Sequence, residues 1–452
     1  MRTTIQTQMP IVNPYIDHDH AQELQAISEI LDSEPAVVGL VYDDLVRGGI
    51  EADKGREGMT AEQVLRALIV KQMNEFSYEE LAFHLADSST YRAFCRFGFG
   101  RKSVSRSTLQ RNIKRVRSET LEAMNQVLIL RAGEEGIERG RRVRIDTTVT
   151  ESNIHEPSES ELLWDGVRVL VRLMGRVKDL VDLRFTDHSL RAKRRRLGIL
   201  NAKGKKQRVK LYRDLLKVSR KTVASAGRAV EALEQCRPTE RMAADRLAAE
   251  MCEYIELVGR VISQTERRVL KGEKVPATEK IVSIFEPHTD IIVKDHRDTH
   301  YGHKLTLSCG GSGLVLDCVV EEGNPADSTL AVKMVERQED LFGRPPRQVA
   351  LDGGFASKVN LQDIKELGVK DVAFSKRRGL KVTDMVKSAW VYRRLRRFRA
   401  GIEGIISFLK RCFGMDRCTW RGGTSFKAYA WASVVSMNLV LLARHKLASR
   451  LI

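Results

Sequence analysis

Short β-branched segments in this chain fall into two groups separated by a long stretch with helical periodicity, and that split limits the folds open to it. Val143-Arg144-Ile145-Asp146 reads as a strand that ends in an acid. From residue 160 to 274 the apolar residues recur at helical spacing, interrupted by the basic run 191–196 and by Lys203, Lys205 and Lys206. Strand signals return at 304–308, 314–320, 348–352 and 371–374, with glycines in 310–313 marking a hairpin turn. Helical stretches at 328–338 and 361–367 separate the later ones. Three strands in hairpin order, then strands alternating with helices, make a mixed α/β sheet. The helical run is therefore an insertion, residues 161–279 with a basic loop, within a core formed by 140–160 and 280–445.

Three signals ahead of the first strand mark helix starts. Thr60-x-x-Gln63, Ser77-x-x-Glu80 and Ser107-x-x-Gln110 fit the capping box, in which side chain and backbone amide satisfy each other three residues apart. Val64, Leu65, Leu68 and Ile69 follow the first at helical spacing, and Leu109, Ile113 and Val116 accompany the third. Residues 1–135 are expected to be a helical domain. The third helix carries Arg106, Arg111, Lys114, Arg115 and Arg117, with Arg101 and Lys102 just ahead. This suits a helix lying against DNA phosphates, and equally a solvated basic face.

The charge balance points to a polyanionic partner. Seventy-seven Lys and Arg against 59 Asp and Glu leave +18 and a pI near 9.6. Phosphate contacts with counterion release reward such an excess, although an anionic membrane surface would attract it too. The chain's 452 residues allow two or three domains. Its seven scattered cysteines contain no Cys-x-x-Cys pair, and read as reduced, buried thiols of a cytosolic protein. The polar start does not resemble a signal peptide, and the apolar run 428–443 is short for a membrane span and reads as a core helix.

Two acids stand at strand ends: Asp146, and Asp352 with Gly353 and Gly354 directly after it. The carboxyl ends of strands face the crevice where α/β sheets bind ligands, and glycines permit close approach. Magnesium takes one or two carboxylates and leaves positions for water and phosphate, so acids far apart in sequence can share it. Each acid alone is also consistent with a cap or a surface ion pair. Glu403 is the third candidate. On a helix turning about 100° per residue, Arg399 and Lys410 fall within about 40° of it, beside the apolar stripe of Ile402, Ile405 and Leu409. The same pattern also fits a salt-bridge ladder.

Arg399-x3-Glu403-x6-Lys410 resembles the signature of the DDE-type bacterial insertion-sequence transposases, in which a Tyr precedes these three; here that position is Arg396. The segment 145–155, continuing through 157–160 to 162–168, resembles the first-Asp region, particularly of ISNCY-like members, and Leu351-Asp352-Gly353-Gly354-Phe355 resembles the second-Asp strand. The likeness runs from about residue 60 to residue 443. It implies an RNase H-like core whose first and fourth strands lie side by side, with Asp146, Asp352 and Glu403 as catalytic residues and metal ligands. It further implies Mg²⁺ or Mn²⁺ as two ions, cleavage of double-stranded DNA at the element's terminal repeats, and transfer of the freed strand into target DNA. Arg399 and Lys410 would hold phosphates, a homodimer would act on the DNA, and the place of work would be the bacterial cytoplasm and nucleoid. No nucleotide is expected, in agreement with the absence of a Gly-x4-Gly-Lys-Ser/Thr loop. A DNA-binding regulator with an inactive core, or a structure-specific nuclease of the same fold, are the rival readings.

Two further groups bear on function. His296, His300 and His303 have spacings that suit zinc on a helix, but Gly302 and the strand that follows favour a turn into a strand. Of the four tryptophans, 164, 390, 420 and 431, most are expected in packing, with Trp164 or Trp390 as candidates to stack on a DNA base.

Overall fold

Helix starts at the front of the chain follow their local chemistry. The computed structural model describes residues 3–4, 17–48, 58–98, 103–294 and 298–450. Its first helices are α1 Asp19–Ser33, α2 Pro35–Val46, α3 Ala61–Met73, α4 Tyr78–Asp87, α5 Ser89–Phe94, α6 Arg106–Ile113 and α7 Ser118–Glu134. Thr60 and Ser77 close full capping boxes with Gln63 and Glu80. The third cap is Ser105 instead of Ser107: the chain leaves the extended conformation at Ser105, so its hydroxyl accepts from the Thr108 amide. Arg101 and Lys102 lie outside the described residues.

The chain continues through β1 Arg142–Ser152 and the helices α8 Glu159–Val177, α9 Ser189–Leu200, α10 Lys205–Leu233 and α11 Arg241–Thr265. Strands β2 Asp290–Lys294, β3 Asp298–Cys309 and β4 Val315–Val320 follow, then α12 Ala331–Phe342, β5 Gln348–Leu351, α13 Lys358–Glu366 and β6 Asp371–Phe374. Last come α14 Val382–Met385, α15 Ala389–Cys412, β7 Arg417–Cys418 and α16 Gly423–Ser449. Contacts divide the chain into two units, Met1–Glu151 with His303–Ile452, and Ser152–Gly302.

In the first unit the strands run β4-β3-β1-β5-β6, with β7 on β1. β3 and β4 are antiparallel, whereas β5 is parallel to both β1 and β6. This is a mixed sheet with the first and fourth core strands adjacent, as the family resemblance implies. Val143 and Ile145 of β1 are fully buried in a core that also takes in Leu65, Leu128 and Leu439 from the helices before and after the sheet. Two buried amides tie those helices to β4: Asn438 bonds both the N–H and the C=O of Val315, while Asn125 donates to Leu316 and accepts from Asn438. The described helices α1 to α7 therefore share one hydrophobic core with the sheet instead of standing as a separate body. The reason is α16, which is buried nearly all round and needs apolar partners on every side; α1, α3 and α7 supply them. Among the described residues α16 is the one helix long and apolar enough to cross a membrane, and 89% of its apolar window is buried inside the protein.

The second unit is a helical bundle in which α10 packs on α8, α9 and α11 around Leu163, Leu170, Leu215 and Val261. Gly166 lets α11 come close, since a Cβ there would stand 2.6 Å from Val258. The basic run 191–196 is not a loop: it lies within α9. Arg and Lys are good helix formers, and here acids neutralise them, Asp214 pairing with Arg191 and Arg195 at 2.5 Å each and Glu161 pairing with Arg196. β2 pairs antiparallel with residues 298–302 of β3 to close this unit. All seven cysteines are free thiols, but Cys252 and Cys412 are exposed and Cys236 is half-buried, so burial is not general.

Candidate active site

The register of the sheet brings two acids together. Ile145 and Leu351 form the last paired position of the parallel β1–β5 ladder, so Asp146 and Asp352 occupy the next position on neighbouring strands. Parallel neighbours lie about 4.8 Å apart. Asp146 does not end β1, which continues to Ser152; what ends there is its pairing with β5. On the other side of β5, Leu351 pairs with Phe374 of β6, and the next residue, Ser375, donates to Asp352 Oδ1 at 2.6 Å. Asp352 then opens a tight turn, Gly353–Phe355. Both glycines are required there, because a Cβ on Gly353 would meet the Lys376 side chain at 2.7 Å and one on Gly354 would meet Asp327 at 2.5 Å.

Helix α15 delivers the third acid. Arg142 and Arg144 alternate with core residues along β1, on the face that Asp146 shares, and both guanidiniums lie over the ring of Phe398, at 4.6 and 4.7 Å. Arg144 also donates to the Phe398 carbonyl at 3.0 Å. Gly401 completes the fit, since a Cβ would land on Arg144 Nη1. One turn from the helix start, the Tyr392 hydroxyl donates to Phe374 O at 2.9 Å, and Leu395, Ile402 and Leu409 bury the inner stripe. These contacts set the rotation of α15 and hence where Arg399 and Glu403 point.

Arg399 binds all three acids at once. Its Nη2 is 2.6 Å from Asp146 Oδ2 and 3.5 Å from Asp352 Oδ1, and its Nη1 donates to Glu403 Oε1 at 2.8 Å. The two Asp oxygens thus share one nitrogen, and stand no farther apart than those two distances together. Arg399 and Asp146 are largely buried, at 14% and 13% exposure, whereas Glu403 at 67% opens to solvent. Burial alone would raise the Asp352 carboxyl, but the Ser375 hydroxyl, the Gly353 N–H and the charges of Arg399 and Lys376 outweigh it and hold it below the ordinary value.

An all-oxygen set suits a hard divalent cation, and the guanidinium held among these carboxylates shows that the site favours positive charge. As the side chains stand, no three His, Cys, Asp or Glu among the described residues close directly around a point. Arg399 lies between the acids and accounts for this. Its buried Nε has no acceptor, so its seat is incomplete.

Asp327, Lys304, Thr147 and Ser375 belong to the same neighbourhood and were not legible in the sequence. Asp327 accepts from Lys304 Nζ at 2.5 Å and from Thr147 at 3.3 Å, while Gly354 packs against it. It therefore braces the residue after one acid and the second residue after the other. Just ahead of a helical stretch an Asp reads as a cap, and no local spacing betrays this contact.

Other expected site residues are placed elsewhere. Lys410, two turns beyond Glu403, pairs with Asp416 at 3.4 Å and not with the three acids. Arg396 stands 5.9 Å from the Tyr392 ring. On α6 and just after it, Arg106, Arg111 and Lys114 are exposed, with Arg106 at 3.8 Å from Glu79, but Arg115 is spent on the Leu45 carbonyl at 3.0 Å. His296 lies outside the described residues, and His300 and His303, an odd number of positions apart on β3, face opposite ways. Trp420 and Trp431 are buried, Trp164 lies beneath Arg168 and Arg196, and Trp390 is 60% exposed.

The family described as Transposase DDE domain matches residues 285–439, a span that contains Asp352, Arg399, Glu403 and Lys410. A second family, Transposase domain (DUF772), matches residues 12–115. The chain belongs to the DDE transposases of insertion sequences. No curated protein and no solved structure matches it. The mixed sheet is accordingly the RNase H-like core of a DNA-cleaving transposase, an enzyme class that depends on divalent metal and acts on DNA. The DDE match begins well after Asp146, which is joined to the matched residues by the sheet register and by its contact with Arg399.

Proposed function

We propose that Asp146, Asp352 and Glu403 are the catalytic carboxylates with which this transposase cuts DNA at the ends of an insertion sequence and joins the freed ends to target DNA. The observation that carries the proposal is the single guanidinium of Arg399 in contact with all three. Mg²⁺ or Mn²⁺, as two ions, would be held by these side chains and would supply activation of the attacking oxygen and stabilisation of the leaving one. Asp352 is suited to this work because its neighbours keep it ionised. Arg399, once released from the carboxylates, offers a planar fork to a phosphate beside the scissile bond, and Lys410 a point charge further along the same helix.

Binding of the element's ends falls to residues 1–135, where phosphate contacts of Arg106, Arg111 and Lys114 would position the duplex, with Arg115 holding α6 in place through Leu45. Synapsis of two ends calls for a homodimer on DNA in the bacterial cytoplasm. The deciding experiment incubates the purified chain and Mg²⁺ with duplexes carrying its own element's ends, and follows nicking and strand joining separately from binding. Asp146→Asn, Asp352→Asn and Glu403→Gln should each lose both reactions and keep binding. A variant that still cuts at the parental rate removes its residue from the site, and cutting without joining would make the enzyme a nuclease.

A further inference from the structure

We propose that the first half of α15 and the loop leading into it form a track for double-stranded DNA of arbitrary sequence next to the cleavage point. The inference rests on the transposase reading and adds a surface that neither the catalytic acids nor the α6 cations account for. Trp390, Arg393, Arg394 and Arg397 follow one another at helical spacing along a single stripe, and all four are exposed. The opposite stripe, Val391, Leu395 and Ile402, is buried against the sheet. Before the helix, Lys376, Arg377, Arg378, Lys381 and Lys387 are exposed as well. Across 376–397 the only acid is Asp384.

Elsewhere on the molecule a number of cations are neutralised by acids. Arg267 is paired with Glu273 and Glu279, and Arg444 with Glu23. By contrast, the side chains of Arg377, Arg378, Lys381, Lys387, Arg393 and Arg397 have no hydrogen-bond or ion-pair partner among the described residues, and Arg394 has only the Trp390 ring at 5.4 Å. Like charges crowded without counter-charges repel one another, and a solvated helix face ordinarily mixes signs. A phosphate backbone would relieve that repulsion and release its own counterions.

The position of the cations completes the argument. The bond from the Lys387 amide to Asp371 at 3.0 Å, at the start of β6, and the Tyr392–Phe374 hydrogen bond, at its end, hold the end of the loop and the helix start along that strand. At 1.5 Å per residue, Arg393 precedes Arg399 by about 9 Å along the same helix. A duplex whose scissile phosphate reaches the acids would therefore continue over these cations. Arg and Lys reach the phosphates of any sequence, and residues 376–397 contain no Asn or Gln to read adenine edges.

The test uses the full chain carrying Arg393→Gln, Arg394→Gln and Arg397→Gln together, with Arg377→Gln, Arg378→Gln and Lys381→Gln as a second set. Binding to a mixed-sequence duplex is followed by fluorescence anisotropy across a KCl series. Each lost phosphate contact should flatten the slope of log affinity against log salt by about 0.9, so either triple variant should be shallower by about two to three. Melting temperatures should match the parent, because these side chains hold nothing in the fold. A parental slope in both variants overturns the track and leaves the transposase reading intact. A parent chain that binds duplex with no salt dependence would instead count against the DNA reading itself.

Discussion

Arg399 Nη2 lies 2.6 Å from Asp146 Oδ2, joining by a charged hydrogen bond a helix residue and a strand residue that are distant in sequence. The same guanidinium reaches Asp352 and Glu403, so without metal the three carboxylates are gathered around an internal cation. On the proposed reading, a divalent ion entering there would compete with Arg399.

Arg399→Ala should expose that competition. With the guanidinium gone, the carboxylates repel one another more strongly, and a divalent ion gains what the Arg contributed. Charged hydrogen bonds contribute about 1.5–3 kcal/mol each, so Mn²⁺ affinity should rise by about tenfold, read by titration of the DNA-free protein. Thermal stabilisation by Mg²⁺ should also exceed that of the parent. Equal or weaker metal binding would mean that Arg399 supports the acids and does not compete for them.

Asp352→Asn and Asp146→Asn keep shape and remove charge, and should reduce end cleavage by more than about a hundredfold while DNA affinity stays within about twofold. Glu403→Gln should do the same, although Glu403 is mostly exposed and holds nothing in the core. Gel-shift and cleavage assays on the same preparations separate the two effects.

Two neighbouring glycines of α15 should behave in opposite ways. A Cβ at Gly401 would land on the buried Arg144 guanidinium and push the helix from β1, whereas nothing lies within 4 Å of a Cβ at Gly404. Gly401→Ala should cost about 1–3 kcal/mol of stability and slow cleavage by misplacing Arg399 and Glu403. Gly404→Ala should add up to about 1 kcal/mol through helix propensity. Denaturant midpoints of the two variants in opposite directions from the parent would bear this out, and a shared direction would not.

Lys71 should give stability a pH dependence of its own. The residue is 5% exposed, its amine lies near the rings of Tyr78 and Trp420, and burial lowers its pKa from 10.5 to about 8. From pH 8 upward the unfolded chain binds more protons at this residue than the folded one, so the Lys71 contribution to stability rises with pH until the unfolded amine also titrates. Burial raises the Tyr78 phenol and the Cys95 thiol, and these oppose the rise above about pH 9. Lys71→Met should therefore stabilise the protein at pH 7 by on the order of 1–3 kcal/mol, and this advantage should shrink between pH 7 and pH 9 in urea melts. An advantage that stays constant with pH would assign the effect to packing.

Local chemistry in the sequence determined most of the elements: the caps at Thr60 and Ser77, the strand at 371–374, and the core helix that includes 428–443. Each rests on neighbours a few residues away, which is the range over which hydrogen-bond capping and hydrophobic periodicity act. Only the tertiary structure decided that Asp146 and Asp352 share a level on adjacent strands, and that Arg399 turns inward to both. It also decided that Asp327 braces them from behind, that the run 191–196 folds as a helix against Asp214 and Glu161, and that the front helices close over the sheet. Those outcomes depend on strand register and on burial against segments hundreds of residues away. Such contacts leave no trace in local spacing, because the sequence records which groups a chain carries and packing selects the ones that meet.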